Sequence, residues 1–128
     1  MIVLDASAAL AYLLSEPGGV LVRQNLGGSV ITTVNLIEVY RRLRRGLSQK
    51  QVEAAGAAFE AKLSAVEAVT LADVLEASRI YADFQQSHGI SLGDSVCLAV
   101  EIRLNAEVWT TDTVWASLPD AGRIKVIR

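Results

Sequence analysis

Four acids stand out because each ends or interrupts an apolar run. Asp5 follows directly on "MIVL" and Asp112 on "EVWTT", while Glu38 sits within "NLIEVYRRL" and Asp94 within "SLGDSVCLAVE". Carboxylates held close together repel and raise one another's pKa values, so such a set calls for a divalent cation or a shared proton. Mg²⁺ and Mn²⁺ suit it, because both prefer carboxylate and water oxygens, and a site that keeps several waters needs few protein ligands. The single histidine, His88, and the single cysteine, Cys97, are too few for a structural zinc site. A divalent ion among such acids polarises a phosphoryl oxygen and lowers the pKa of a bound water.

Each acid also has a plainer role open to it. Asp5 and Asp112 stand where a side chain accepts amides at the start of a following turn of helix. Ser91 and Asp94 have the spacing of a capping box ahead of "SVCLAV". Glu38 precedes Arg41 and Arg42 by three and four residues, the spacing of surface ion pairs on a helix. Capping does not account for Glu38, which lies in mid-helix beside Ile37, Val39 and Tyr40.

The elements that must bring these acids together alternate along the chain. Short β-branched or apolar runs predict strands at Met1–Leu4, Ser29–Thr32, Ala65–Val69, Glu107–Thr111 and Ile124–Ile127. Helical periodicity covers Ser7–Ser15, Gly19–Leu26, Thr33–Arg45, Ser48–Leu63, Ala72–His88 and Ser91–Asn105. Strands alternating with helices imply an α/β sandwich on a mostly parallel sheet of about five strands, with right-handed crossovers. In such sheets the functional crevice lies beyond the carboxyl ends of the strands, where Asp5 and Asp112 are expected. No repeat, linker or low-complexity tract divides residues 1–128, so one domain is expected.

Composition narrows the setting. Of 128 residues, 52% are hydrophobic and 20% charged, the balance of a folded protein. The net charge is −2, which leaves no broadly basic surface; contact with nucleic-acid phosphates must come from a local patch or from metal ions. The apolar run "AALAYLL" lacks a preceding basic residue, follows Asp5 and stops at "SEPGG", too short to span a bilayer. No membrane association is expected, and together with the lone cysteine this fits a cytoplasmic setting.

The blocks "MIVLDASAALAYL", "VNLIEVYRRL", "LGDSVCLAVE" and "VWTTDTVWASL" resemble, in order and spacing, the four signature blocks of the PIN domain, and more narrowly the VapC-like toxins of toxin–antitoxin pairs. The resemblance runs from Met1 to the final "IKVI" and implies a PIN-like three-layer α/β/α sandwich. It implies an endoribonuclease dependent on Mg²⁺ (or Mn²⁺), with Asp5, Glu38, Asp94 and Asp112 as catalytic and metal-holding residues. The partners it implies are an RNA substrate, a cognate VapB-like antitoxin and a second copy in a homodimer. Ser7 and Thr111 resemble the family's small hydroxyl residues beside the first and last acids.

Other residues leave alternatives open. Arg41, Arg42, Arg44 and Arg45 form either a charged helix surface or a rim that steers RNA phosphates. Glu101, seven residues after Asp94, reads first as a solvated charge and second as an addition to the acidic pocket. Trp109 and Trp115 read as packing residues, with base stacking a lesser role for Trp115. His88 is expected to end a helix and Cys97 to fill the core. The Ala-rich stretch after Ser48 is expected to form a helical hairpin with the arginine helix. Of the other functional classes, a receiver module lacks its phospho-accepting Asp. A haloacid-dehalogenase-type phosphatase lacks its second Asp, having Ser7 there. A catalytically inactive PIN-like scaffold that binds its partner remains the alternative.

Overall fold

In the computed structural model, which describes residues 1–119 and 123–128, the strands are β1 (Ile2–Leu4), β2 (Ser29–Thr32), β3 (Ala65–Glu67), β4 (Glu107–Thr110) and β5 (Ile124–Val126). They form one sheet in the order β3-β2-β1-β4-β5, and every pairing is parallel. The helices are α1 (Ala6–Leu13), α2 (Gly19–Gln24), α3 (Thr33–Leu43), α4 (Gln49–Lys62), α5 (Leu71–His88) and α6 (Leu92–Leu104), with 3-10 turns at Leu26–Gly28 and Thr113–Ser117.

Strand periodicity builds the three layers. Leu4, Ile31 and Trp109 face one way and pack with α1 to α4, whereas their neighbours Val3, Val30 and Val108 face the other way and pack with α5 and α6. The central strands are therefore apolar on both faces, as a parallel sheet covered by helices requires. In α4, Val52 and Phe59 join Val39 and Leu43 of α3 in the first cluster, and Gly56 leaves room for the Tyr40 ring, which gives the expected hairpin.

Capping explains most helix limits. Ser48 with Gln51, Thr70 with Asp73 and Ser91 with Asp94 form reciprocal capping boxes, so each helix begins one residue after its cap. Asn105 at φ 50° and Gly89 at φ 64° close α6 and α5 in the left-handed conformation. The arginine helix stops at Leu43, before Arg44 and Arg45, and α2 gives way to a 3-10 turn at Leu26. Among the described residues no helix is long and apolar enough to cross a membrane.

The strand order creates the crevice. After β1 the chain builds outward through β2 and β3 on one side, then returns to lay β4 and β5 on the other. The order reverses between β1 and β4, and the carboxyl ends of these two strands flank the switch point.

Candidate functional site

Asp5 leaves β1 at that switch point and Asp112 leaves β4 beside it. Their strand ends are stitched together by a compact network. The Asp5 amide donates to the Trp109 carbonyl at 3.1 Å. Ser7 Oγ donates to Asp5 Oδ1 at 2.6 Å and accepts the Thr111 amide at 2.9 Å. Thr110 Oγ1 donates to Asp5 Oδ2 at 2.6 Å and accepts the Asp112 amide at 3.0 Å. Each hydroxyl thus links the Asp5 carboxylate to the backbone leaving β4. The hydroxyl expected of Thr111 is supplied by Thr110. Strand β4 ends one residue earlier than its sequence suggests, and successive side chains point to opposite sides.

The capping roles are real, and they leave oxygens over. Asp5 Oδ1 also accepts the Ala8 amide at 2.8 Å and so caps α1. Asp94 Oδ2 accepts the Ser91 amide at 2.8 Å, and Asp112 Oδ1 accepts the Val114 amide at 3.0 Å. Among the described residues, Asp94 Oδ1 and Asp112 Oδ2 accept no hydrogen bond from protein. Glu38 keeps Oε2 free of one as well, and it forms no ion pair with Arg41 or Arg42, contrary to its i,i+3 and i,i+4 spacing. It receives instead a long hydrogen bond from Asn35 Nδ2 at 3.4 Å.

Electrostatics couple the four acids. Burial pushes the Asp5 carboxyl up to about 6 against the pull of its Ser7, Thr110 and Ala8 hydrogen bonds, and the charge of Asp94 adds to the rise. Glu38 is raised by burial first, then by Asp94 and Asp5, with Arg41 and Asn35 opposing. Asp94 is raised by burial, against its Ser91 hydrogen bonds, and further by Asp112. Asp94 is the member whose field reaches or is reached by all the others. No three acids, histidines or cysteines among the described residues stand close enough to enclose a metal ion as they are. The donor chemistry nonetheless fits a hard divalent ion. The set is all oxygen, three members bear the cost of uncompensated negative charge, and Mg²⁺ commonly keeps its waters and takes only one or two carboxylates directly.

The remaining sequence-predicted residues fall outside this centre or behind it. Glu101 is fully buried rather than solvated, because α6 is enclosed between the sheet and α5 and buries almost every residue from Gly93 to Glu101. Trp115 is also fully buried, which removes it from any stacking role; Trp109 packs in the other core cluster beneath Lys125. Cys97 lies in the core, its thiol pushed well above the usual range by burial first and then by the neighbouring acids. His88 ends α5 with its ring against Phe84 and Ser87. Arg41 and Arg45 are exposed, Arg42 is half-buried, and Arg44 donates from Nε to Gln49 Oε1 at 2.9 Å.

Three contributors escaped the sequence reading: Thr110, Asn35 and Gly93. The signal for Asn35 was present in the polar stripe Thr32, Asn35, Glu38, spaced by three on a helix whose other inward positions are Leu36, Val39 and Leu43.

The PIN domain family matches residues 2–121. The chain belongs to the PIN-domain family. No curated protein matches the sequence. Among solved structures, this PIN domain is similar to Mycobacterium tuberculosis VapC20, a sarcin-ricin loop cleaving toxin, with a TM-score of 0.74 at 17% identity over 100% of this chain and 99% of that one. It is similar to a chain of DNA-bound VapBC from Salmonella typhimurium, at 0.75 and 15% identity over 97% and 96% of the two chains. It also matches a toxin–antitoxin complex from Klebsiella pneumoniae at 0.74 and 14%, over 100% and 98%. At such low identity these likenesses establish the fold, a five-stranded parallel sheet between helical layers.

Proposed function

We propose that this PIN domain is a Mg²⁺- or Mn²⁺-dependent endoribonuclease, the toxin of a toxin–antitoxin pair, with Asp5, Glu38, Asp94 and Asp112 as its acidic centre. The observation that carries the reading is the coupling of these four acids at the switch point, three of them raised by burial and by one another's charge. Structural roles alone give no reason to gather four acids at one end of a sheet in a chain with only 14 acidic residues.

A bound divalent ion supplies Lewis acidity for transfer of an RNA phosphoryl group to water. The four carboxylates would hold it, Asp94 and Asp112 through the oxygens that capping leaves over. Ser7 and Thr110 fix the Asp5 carboxylate from both oxygens, so the innermost acid keeps one orientation. The exposed side chains of Arg41, on the helix that carries Glu38, and of Arg45, just beyond its end, offer positive charge where the strand of RNA would run. The bond that forms joins the water oxygen to phosphorus, and the bond that breaks frees the ribose oxygen. The reading takes residues 1–128 as one catalytic domain in the cytoplasm, paired with a VapB-like antitoxin and a second copy. Two of the similar structures are toxin–antitoxin assemblies.

The test is RNA cleavage by the purified chain with chelator, with Mg²⁺ and with Mn²⁺, beside Asp94→Asn. Metal-dependent cleavage that the substitution abolishes supports the reading. Undiminished cleavage by Asp94→Asn overturns it, and a well-folded chain that never cleaves is a binding scaffold.

A further inference from the structure

Asn35 lies on α3 three residues before Glu38, with only 1% of its surface exposed. Every polar group of its side chain is engaged. Oδ1 accepts the Thr32 hydroxyl at 2.6 Å, and Nδ2 donates to the Gly93 carbonyl at 3.1 Å and more weakly to Glu38 Oε1 at 3.4 Å. The amide has no alternative orientation. Thr32 Oγ1 accepts the Asn35 backbone amide at 3.0 Å and keeps its proton for Oδ1. Turned round, the amide would set its oxygen against the Gly93 carbonyl and the Glu38 carboxylate, both acceptors.

Gly93 is the residue before Asp94 in the first turn of α6. The Asn35 hydrogen bond to its carbonyl therefore ties the turn that carries Asp94 to the helix that carries Glu38. Gly93 makes the approach sterically feasible, since a Cβ there would overlap Glu38 Oε1. One contact draws α6 towards α3, and the missing side chain lets Glu38 occupy the space between them.

We propose that Asn35, acting with Gly93, is a positioning residue that sets the spacing of the Glu38 and Asp94 carboxylates by locking the first turn of α6 onto α3. The role rests on the nuclease reading, and it concerns how that centre is held together. Side chains that orient carboxylates in this way typically govern metal affinity and activity by about 10- to 100-fold.

The experiment compares the original chain, Asn35→Ala, Gly93→Ala and Glu38→Gln. Each is checked for folding by circular dichroism, titrated with Mn²⁺ by calorimetry and assayed for RNA cleavage well below its melting temperature. Asn35→Ala is expected to weaken Mn²⁺ binding and to lower kcat, each by about 10-fold or more, with KM for RNA unchanged. Gly93→Ala is expected to do the same by displacing Glu38, and it carries the test alone should Asn35→Ala not fold. A lower melting temperature with kcat and Mn²⁺ affinity intact overturns the positioning role, because a purely structural amide would behave that way. Full activity of Asn35→Ala beside an inactive Glu38→Gln overturns the positioning role alone. Full activity of Glu38→Gln overturns the four-acid centre on which the nuclease reading is built. Absence of Mn²⁺ binding by the original chain removes the site that Asn35 is said to position.

Discussion

Replacing Asp5 by asparagine isolates the cost of burying a carboxylate at the switch point. The Asp5 carboxyl is raised from 3.8 to about 6, with burial as the main cause. The folded state thus binds this proton more tightly than the unfolded state does, and the sign follows. The group's contribution to stability is complete below the unfolded value and is lost as pH rises through about 6. Two units correspond to about 3 kcal/mol between the limits, most of it lost between roughly pH 4 and 6. Asparagine relieves this cost and can keep much of the network. Its carbonyl can accept from Ser7 Oγ and the Ala8 amide, which both reach Oδ1. Its amide then faces Thr110 Oγ1, whose proton can turn to Ser7 Oγ 3.3 Å away. Losing one charge-assisted hydrogen bond returns about 1 to 1.5 kcal/mol. Asp5→Asn is therefore expected to stabilise the metal-free protein at pH 7.5 by about 1.5 to 2 kcal/mol, which raises the melting temperature by roughly 6 to 8 °C. The assay is urea and thermal unfolding in chelator from pH 4.5 to 8. The variant should gain on the original as pH rises, with a shallower pH slope that Glu38 and Asp94 still contribute to. A variant less stable than the original at pH 7.5, with the slope unchanged, would refute the claim that burial and mutual repulsion dominate at Asp5.

Other perturbations reach different parts of the molecule. Saturating Mg²⁺ should stabilise the original chain by about 2.7 kcal/mol at a hundredfold excess over the dissociation constant, and stabilise Asp94→Asn less, as thermal melts would show. Neutralising Arg41, Arg42 and Arg45 together should weaken binding of single-stranded RNA and flatten its log–log salt dependence by about 0.7 per lost phosphate contact; an unchanged slope assigns these side chains to another surface role. Arg103 donates to the buried Asp73 at 2.8 Å and to Glu67 at 3.0 Å, and Asp73 is held below the usual carboxylate range by that contact and its Thr70 cap despite burial. Arg103→Ala should cost about 2 kcal/mol or more in urea unfolding at pH 7, and the difference should shrink as pH falls and Asp73 protonates.

The layered fold and the four acids were legible because both rest on periodicity and on charge placed against an apolar background. Parallel strands read as short apolar runs, capping boxes mark helix starts, and an acid that ends such a run is conspicuous. Thr110 was missed because the choice between adjacent threonines depends on where the strand stops, and a slip of one residue reverses the side a side chain faces. Glu101 was misread because helical phase places it on the face of Asp94 without saying whether that face is covered; in the fold it is, and Glu101 is fully buried. Gly93 carries no signal of its own in sequence, since its importance lies in the Glu38 carboxylate that fills the place of its missing side chain.

Capping and metal binding need not compete for these acids. A capping carboxylate is fixed by the backbone amides it accepts, and such a bond occupies one of its two oxygens. At Asp94 and Asp112 the bound oxygen anchors the side chain to the first turn of a helix, and the other is presented in a set direction at little further entropic cost. The same turn supplies partial positive charge from its unpaired amides, which offsets part of the repulsion among the acids before any cation arrives. Asp5 differs in having both oxygens hydrogen-bonded, and it is the acid most deeply buried of the four. Glu38 caps nothing, so the order that capping gives Asp94 and Asp112 must reach it another way. The Thr32–Asn35–Gly93 hydrogen bonds provide it, running from the end of β2 to the first turn of α6, and Glu38 lies alongside them.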